Sequence, residues 1–557
     1  MPKITIREED LTSGGVVNVT SNAVYIPGYS IMGPVNTPTL CNTLEEFESI
    51  FGKTPYVFEA DQAWPADFSD NAKPSKKYAI SGDMERSYIM ASELLRNGLP
   101  VYFERVFPKN AADWESRCLL HLEDTVGTTS INTNLKLTAS TPGKVGKKLY
   151  CTLTKNTELT EGNYYVLSVG RDADVDRGIT AIPKQSTKFT FNEAVSREYT
   201  DIIYYRELED ALDNSGLVTL NFVSDGTPTE PVEGVYSFTL DQSAPEFDVP
   251  GMYSYLYSVK PYERFEDRGE YVLKFLTTGA YPVFEYKDNA IVSGMLGVAA
   301  ERGDATAIID HTPNNSRSLT GATSVYEAIK TYCKSQRVSK TLQEPVYSYG
   351  TMFTPYAAYR TSVTNKLIEL PASFGYLNSF AISVMNNPNW YAVAGVTRGM
   401  VPNLVSLSQN VTNAIADSYT PRDQVSINPI TNIKPYGYVV WGNRTLKNNY
   451  KEGDLTATSF LNIRQLVSDV KRTVFVASRR MTFEQDNDIL WINFKSLITP
   501  MLDRMLYGNG ITAYKLLKQK TNEKAKLKAK IILQCVEAVE DFDITISLTD
   551  SESTITE

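Results

Sequence analysis

At 557 residues the chain is far longer than one hydrophobic core serves, and at roughly 100–200 residues per domain it divides into three or four units. Its 55 Lys and Arg against 65 Asp and Glu leave a formal net charge of -10, which excludes a general nucleic-acid binder, since neutralising phosphates needs a surplus of cations. No uninterrupted apolar run approaches the roughly 20 residues that a membrane helix requires, which argues against direct membrane insertion.

The opening MPKITIREED is charged within three residues and is expected not to be a secretory signal. The 5 cysteines are scattered without a C-x-x-C pair, which predicts a reduced setting rather than a disulfide framework. Residues 1–20 read as an N-terminal arm. Lys3, Ile4, Thr5, Ile6 and Arg7 alternate polar and apolar as a short strand, followed by the turn-rich LTSGG. Ile4 and Ile6 are too few to support a fold, so this strand must add to another sheet.

Residues 21–118 open an α/β core. A strand at 23–26 precedes a loop punctuated by Gly33, Pro34 and Pro38. Thr43, with Glu45 and Glu46 in the next turn, starts a helix that stops at Gly52. A second helix over 83–97 puts Met84, Tyr88, Ala91 and Leu95 on one face, and LPVYFERV follows as a strand.

Over 119–258 helical periodicity fades and short alternating runs appear, among them KLYCTLTKN, NYYVLSV and TKFTF, so this region reads as a β-rich inserted domain. The α/β pattern resumes over 259–430, with EYVLKFL as a strand, a helix over 288–302, and a strand over 305–310. That spacing implies a parallel sheet with crossover helices, and FGYLNSFAISVM and YGYVVWG are read as further strands of the layer. A C-terminal α/β domain over 431–536 contains two amphipathic helices. One places Phe460, Ile463, Leu466, Val467, Val470 and Val474 on a face; the other, over 488–507, contains Pro500, which should kink or interrupt it. KLKAKIILQCV reads as a strand. In the C-terminal arm, 537–557, Phe542, Ile544, Ile546 and Leu548 alternate with Asp543, Thr545 and Ser547 as a half-buried strand.

Charge is unevenly placed. Lys515, Lys518, Lys520, Lys524, Lys526, Lys528 and Lys530 crowd one stretch, whereas 531–557 has no basic residue and is acidic. A basic strip followed by an acidic tail suits head-to-tail pairing of copies, or a solvated face beside a solvated tail.

Catalytic signatures are missing. His121 and His311 are the 2 histidines, and phosphate-binding, dinucleotide-binding and zinc-protease motifs do not occur. TPGKVGKKL has the wrong spacing for a phosphate loop and reads as a turn between strands. A hydrolase reading would combine Asp310 and His311 with Ser316 or Ser373, but adjacent strand residues point to opposite faces, so Asp310 could not orient His311. No catalytic, cofactor-binding or metal-binding residues are assigned, and the chain is expected not to be an enzyme.

An ordered set of motifs carries a family resemblance. VYIPGYSIMGPVNTPTLCNTLEEFESIFG with LPVYFERV resembles the opening of contractile phage tail sheath proteins. STPGKVGKKLYCTL is similar to that family's entry into its β-rich region, with Lys147 where Asn is usual; ATAIIDHTP and NWYAVAGVTRGMV match later segments. SINPITNIKPYGYVVWGNRTL, FLNIRQLVSDVKRTVFVASRRMTFEQDND and WINFKSLITPMLDRMLYGNGITAYKL follow in family order, whereas ELPASFGYLNSF departs at Ala372 and Phe374.

The resemblance implies a non-catalytic, subtilisin-like α/β core with the β-rich insertion and extended strand arms. It implies a sheath subunit in six-fold rings stacked helically around an inner tail tube protein, with baseplate and tail terminator proteins as further partners. Such a sheath is assembled in the host cytoplasm, belongs to the virion, and contracts to drive the tube through the host envelope without a cofactor. The residue 431–536 domain would face the tube, the seven lysines are a candidate tube or neighbour contact, and both arms would link subunits by β-augmentation. A pyocin-like injection machine fits equally. An α/β hydrolase-like enzyme, or an adhesin built on residues 119–258, are the readings from other classes.

Overall fold

The computed structural model describes residues 22–540, apart from 54–84, 107–117, 127–128, 142, 175–178, 200, 214–216, 223–232, 241–248, 259, 285–288, 313–318, 335–336, 340–343, 363–364, 450–452, 486–487 and 521–525. The two predicted arm strands, 3–7 and 542–548, lie outside the described residues.

An eight-stranded sheet organises the rest. Its strands are β1 (Val24–Gly28), β2 (Thr39–Cys41), β3 (Val101–Arg105), β4 (Phe275–Leu276), β5 (Thr306–Ile309), β6 (Gly350–Thr354), β7 (Asn428–Ile433) and β8 (Gly437–Val440). They lie in the order β2-β3-β1-β4-β5-β6-β7-β8. The inner strands run parallel, and the edge strands β2 and β8 are antiparallel to their neighbours. Burial on both faces explains why β1, β3 and β5 read as nearly continuous apolar runs.

Strand alternation sends Tyr25, Leu276, Ala307 and Ile309 to one face, against Met295, Leu296 and Ala299 of helix Ala290–Arg302. Val24, Ile26, Phe275 and Ile308 face the other side, against helices Leu44–Phe51, Arg86–Arg96 and Ala372–Asn386. The first of these starts as expected: Thr43 Oγ1 accepts the Glu46 N–H at 3.2 Å, and Gly52 ends it at φ 90°. Arg105, 1% exposed at the end of β3, holds the Gly-Pro loop by donating to the carbonyls of Ser30 at 2.8 Å and Gly33 at 3.1 Å.

Three local expectations need correction. FGYLNSFAISVM is not a strand: Pro371 precedes helix Ala372–Asn386, and Phe374, Leu377 and Ala381 recur at helical rather than alternating steps. In EYVLKFL only Phe275 and Leu276 are strand. The helix containing Pro500 is not interrupted by it.

Between β3 and β4, a four-stranded and a five-stranded sheet share one core around Leu137, Leu153, Leu167, Phe189 and Val218. A turn, Lys144–Lys148, joins two of their strands where TPGKVGKKL stands. Ile31, Met32, Val145 and Ile179 pack this region on the loop after β1.

The fold-class expectation is corrected as well. The described residues form an open, mixed sheet with antiparallel strands at both edges, and separate four-, five-, three- and two-stranded sheets. A subtilisin-like α/β core does not describe this arrangement. Strand–helix alternation implies a parallel layer, but it is silent on how the edges are closed.

Candidate interaction site at the terminal hairpin

Two long helices and a hairpin complete the described chain. They are α1 (Leu461–Arg480), α2 (Asp488–Tyr507), β9 (Ile511–Gln519) and β10 (Lys528–Cys535). α1 is tied to the sheet by buried charge. Lys274 Nζ lies 3.1 Å from an Asp469 oxygen, and Arg472 donates both to Asp304 at 2.5 Å and to the Leu273 carbonyl at 2.8 Å. Arg302 completes the group at 2.8 Å from Asp304. Further along, Glu344 accepts from Tyr349 at 2.5 Å, Arg464 at 3.0 Å and Lys471 at 3.2 Å. Burial raises the Glu344 carboxyl, yet the Tyr349 hydrogen bond and the two cations outweigh it and hold the group below its ordinary value.

The antiparallel register pairs Tyr514 with Leu533 and Leu516 with Ile531, and on the opposite face Lys515 with Ile532 and Leu517 with Lys530. Tyr514, Leu516, Ala529, Ile531, Leu533 and Cys535 pack on the cluster of Trp390, Leu466, Phe494, Ile498 and Met505. A two-stranded hairpin is marginal alone, so this packing is what keeps it folded. Its root is fastened by Trp390, whose indole N–H donates to the Gly508 carbonyl at 2.9 Å, and by Gly510 N–H to Met505 at 2.8 Å. A Cβ at Gly508 or Gly510 would meet the Trp390 ring at 2.6 or 2.8 Å, which is why the chain turns on glycines here.

Of the predicted lysines, Lys515, Lys518, Lys520, Lys526, Lys528 and Lys530 are exposed, and Lys524 lies outside the described residues. The register separates them. Lys515, Lys528 and Lys530 share the outer face, whereas Lys518 is on the inner face with its Nζ 3.3 Å from Asp488. No third strand flanks the hairpin among the described residues.

The described chain begins and ends near this unit. Asn22 accepts from Asn389 at 3.1 Å and helps line a cavity of about 610 Å³ with Trp390, Arg504 and Tyr507. After β10, Val536 N–H donates to Gly510 at 3.1 Å, and Glu540 pairs with Arg444. Sequence reasoning missed Arg444; its signal was the charged residue inside the otherwise neutral WGNRTL.

The hydrolase residues are not assembled. Ser373 Oγ donates to Asp310 at 2.6 Å, but His311 contacts Thr354 Oγ1 and the Thr312 carbonyl, each at 3.1 Å. Burial pushes Asp310 up to about 7 and His311 down to about 4, which favours the neutral form of each. A serine bonded to a carboxyl without an intervening imidazole has no general base of the triad kind. Ser316 lies outside the described residues. Among the described residues, no group of three or more His, Cys, Asp or Glu is placed to hold a metal ion.

No protein-family model matches the chain. It is 24% identical over 133 residues to the tail sheath protein of Vibrio phage KVP40, a match spanning 24% of this chain and 19% of that one. The crystal structure of a sheath tail protein from Listeria innocua covers 92% of this chain and 95% of its own, at 11% identity and a TM-score of 0.51. A sheath tail protein from Desulfitobacterium hafniense covers 96% of this chain and 100% of its own, at 11% identity and a TM-score of 0.46. The Listeria structure is the finding that replaces the subtilisin-like description. The family resemblance of the motifs is borne out: this chain has the fold of the contractile tail sheath proteins.

Proposed function

We propose that this chain is a structural subunit of a contractile sheath, in a phage tail or in a phage-derived injection machine, and that it does its work by polymerising. The observation that carries the reading is the sheath-type fold over 92% of the chain, found where the triad candidates fail to assemble. In detail, copies form six-fold rings stacked helically around an inner tube, with baseplate and terminator proteins at the ends. Contraction then drives the tube through the host envelope. The energy resides in the packing of subunits, so no cofactor is needed.

Linkage between copies uses the chain ends. Residues 3–7 and 542–548 alternate as strands do and contain too little apolar surface to fold alone. The hairpin of β9 and β10 offers two edges without a neighbour among the described residues. A strand making about five main-chain hydrogen bonds at roughly 0.5–1.5 kcal/mol each contributes a few kcal/mol, enough to keep neighbours tied while they rotate.

Negative-stain microscopy of the purified protein tests this. Striated tubes are expected from the full chain, and folded monomers from chains lacking residues 1–12 or 541–557. Tubes of normal length from both truncations would sink the linkage. Capsid and terminase genes beside this one would mark a phage tail; their absence marks an injection machine.

A further inference from the structure

Glu540 is the last described residue, and its carboxylate pairs with the guanidinium of Arg444 across 96 positions of sequence. Arg444 is fixed for reasons that do not involve Glu540. Its N–H donates to Asn428 Oδ1 at 2.7 Å, and its carbonyl accepts from Asn428 Nδ2 at 2.9 Å and Thr351 Oγ1 at 3.0 Å. Its guanidinium lies 4.9 Å from the centroid of the Phe460 ring. The Arg444 side chain is 3% exposed and that of Glu540 28%. The charge of Arg444 also acts on the Asp454 carboxylate, and the C-terminal segment brings a further carboxylate directly onto the buried guanidinium.

The route to this contact is loosely held elsewhere. Beyond Val536, whose N–H extends the hairpin to Gly510 at 3.1 Å, Val539 is 70% exposed. The four residues between β10 and Glu540 are therefore anchored at their two ends. We propose that Arg444 is a clasp for the C-terminal segment: by holding Glu540 it fixes the point on the subunit from which the acidic stretch 541–557 begins. Arg444 is thus a positioning residue, and the proposal rests on the reading of the chain ends as links between copies. The clasp is releasable, because Glu540 sits at the surface and any process that withdraws it detaches the root of the segment back to the hairpin.

Hydrogen–deuterium exchange on the full chain tests it. Glu540→Gln keeps the shape of the side chain and removes its charge, and the Val536 amide, bonded to the Gly510 carbonyl, should then exchange tenfold faster or more, with helix α1 and the central sheet unchanged. Glu537→Gln, in the same segment, should change nothing. Unchanged exchange in Glu540→Gln, equal acceleration in both variants, or loss of protection throughout the core would each overturn the clasp. Tube formation by the chain lacking 541–557 is scored separately: if those tubes are normal, the linkage reading falls, whereas the exchange result still decides the clasp.

Discussion

Lys274 and Asp469 bind each other inside the protein, 3.1 Å apart with side chains 2% and 8% exposed, and so join the entrance of β4 to the middle of helix α1. Burial lowers the Lys274 ammonium from its ordinary range and the Asp469 charge only partly restores it. Such a pair is costly to break from one side. Asp469→Ala leaves an uncompensated cation and should destabilise the fold by about 3–5 kcal/mol, whereas Lys274→Met with Asp469→Leu should come close to neutral. Urea denaturation of the two variants decides; equal midpoints for wild type and Asp469→Ala would show that the pair does not hold the helix.

Stability should also fall as pH rises toward 8. Glu85 accepts from the Ser87 N–H at 3.1 Å and from Tyr281 at 2.9 Å, and burial pushes its carboxyl up to about 7, as it does Asp310. Unfolded, these groups titrate near about 4, so the fold favours their protonated forms. Their stabilisation is fully present below that value and is lost as pH climbs through about 7. His311, pushed down to about 4, acts in the other direction: its contribution is present above the ordinary histidine value and lost on acidification. Glu85→Gln should therefore raise the melting temperature clearly at pH 8, by the equivalent of about 4 kcal/mol, and far less at pH 5. A gain of the same size at both values would exclude a titration origin.

Residues whose role is local were legible in the sequence. Thr43, Gly52 and the β1, β3 and β5 runs follow from capping, positive φ and burial on both faces, each set by a few neighbouring side chains. Residues whose role depends on distant partners were not. FGYLNSFAISVM is mostly apolar, which reads as a strand, and its helical steps at Phe374, Leu377 and Ala381 become evident only against the layer they cover. Ser373 bonds to Asp310, whereas His311 turns to Thr354 and the Thr312 carbonyl, since both residues follow the end of β5 at Ile309. The lysine crowd looked like one patch, but alternation along β9 assigns Lys518 to the opposite face from Lys515. Arg444 and Glu540 lie 96 residues apart, and no periodicity links them.

Trp390 should prove the fastening of the hairpin. Its ring is 7% exposed, its N–H serves Gly508, and its carbonyl accepts from Asn462 of helix α1 at 3.1 Å. Trp390→Ala removes a large side chain from the cluster under β9 and β10 and should cost about 3–5 kcal/mol. The loss should be local first: proteolysis or amide exchange should open 508–536 before the central sheet. Simultaneous opening of both would mean that the hairpin and the sheet form one cooperative unit.

The outer lysine face is where assembly and stability should come apart. Lys515, Lys528 and Lys530 are exposed on the side of the hairpin opposite the inner cluster, so changing them leaves that cluster intact. Exposed charges contribute roughly 0–1 kcal/mol to a fold, and the triple change to Gln should leave the melting temperature nearly unmoved. Association is different. If this face meets the acidic residues 531–557 of another copy, or an acidic tube, attraction between the surfaces should weaken as salt rises, since the Debye length is about 8 Å at physiological ionic strength and about 3 Å at 1 M. Sedimentation of wild type and triple variant across that range checks both halves. The wild type should lose assembly as salt increases, and the variant should assemble poorly at every concentration. Salt-independent assembly in the wild type, or normal assembly of the variant, would return these lysines to the status of a solvated face.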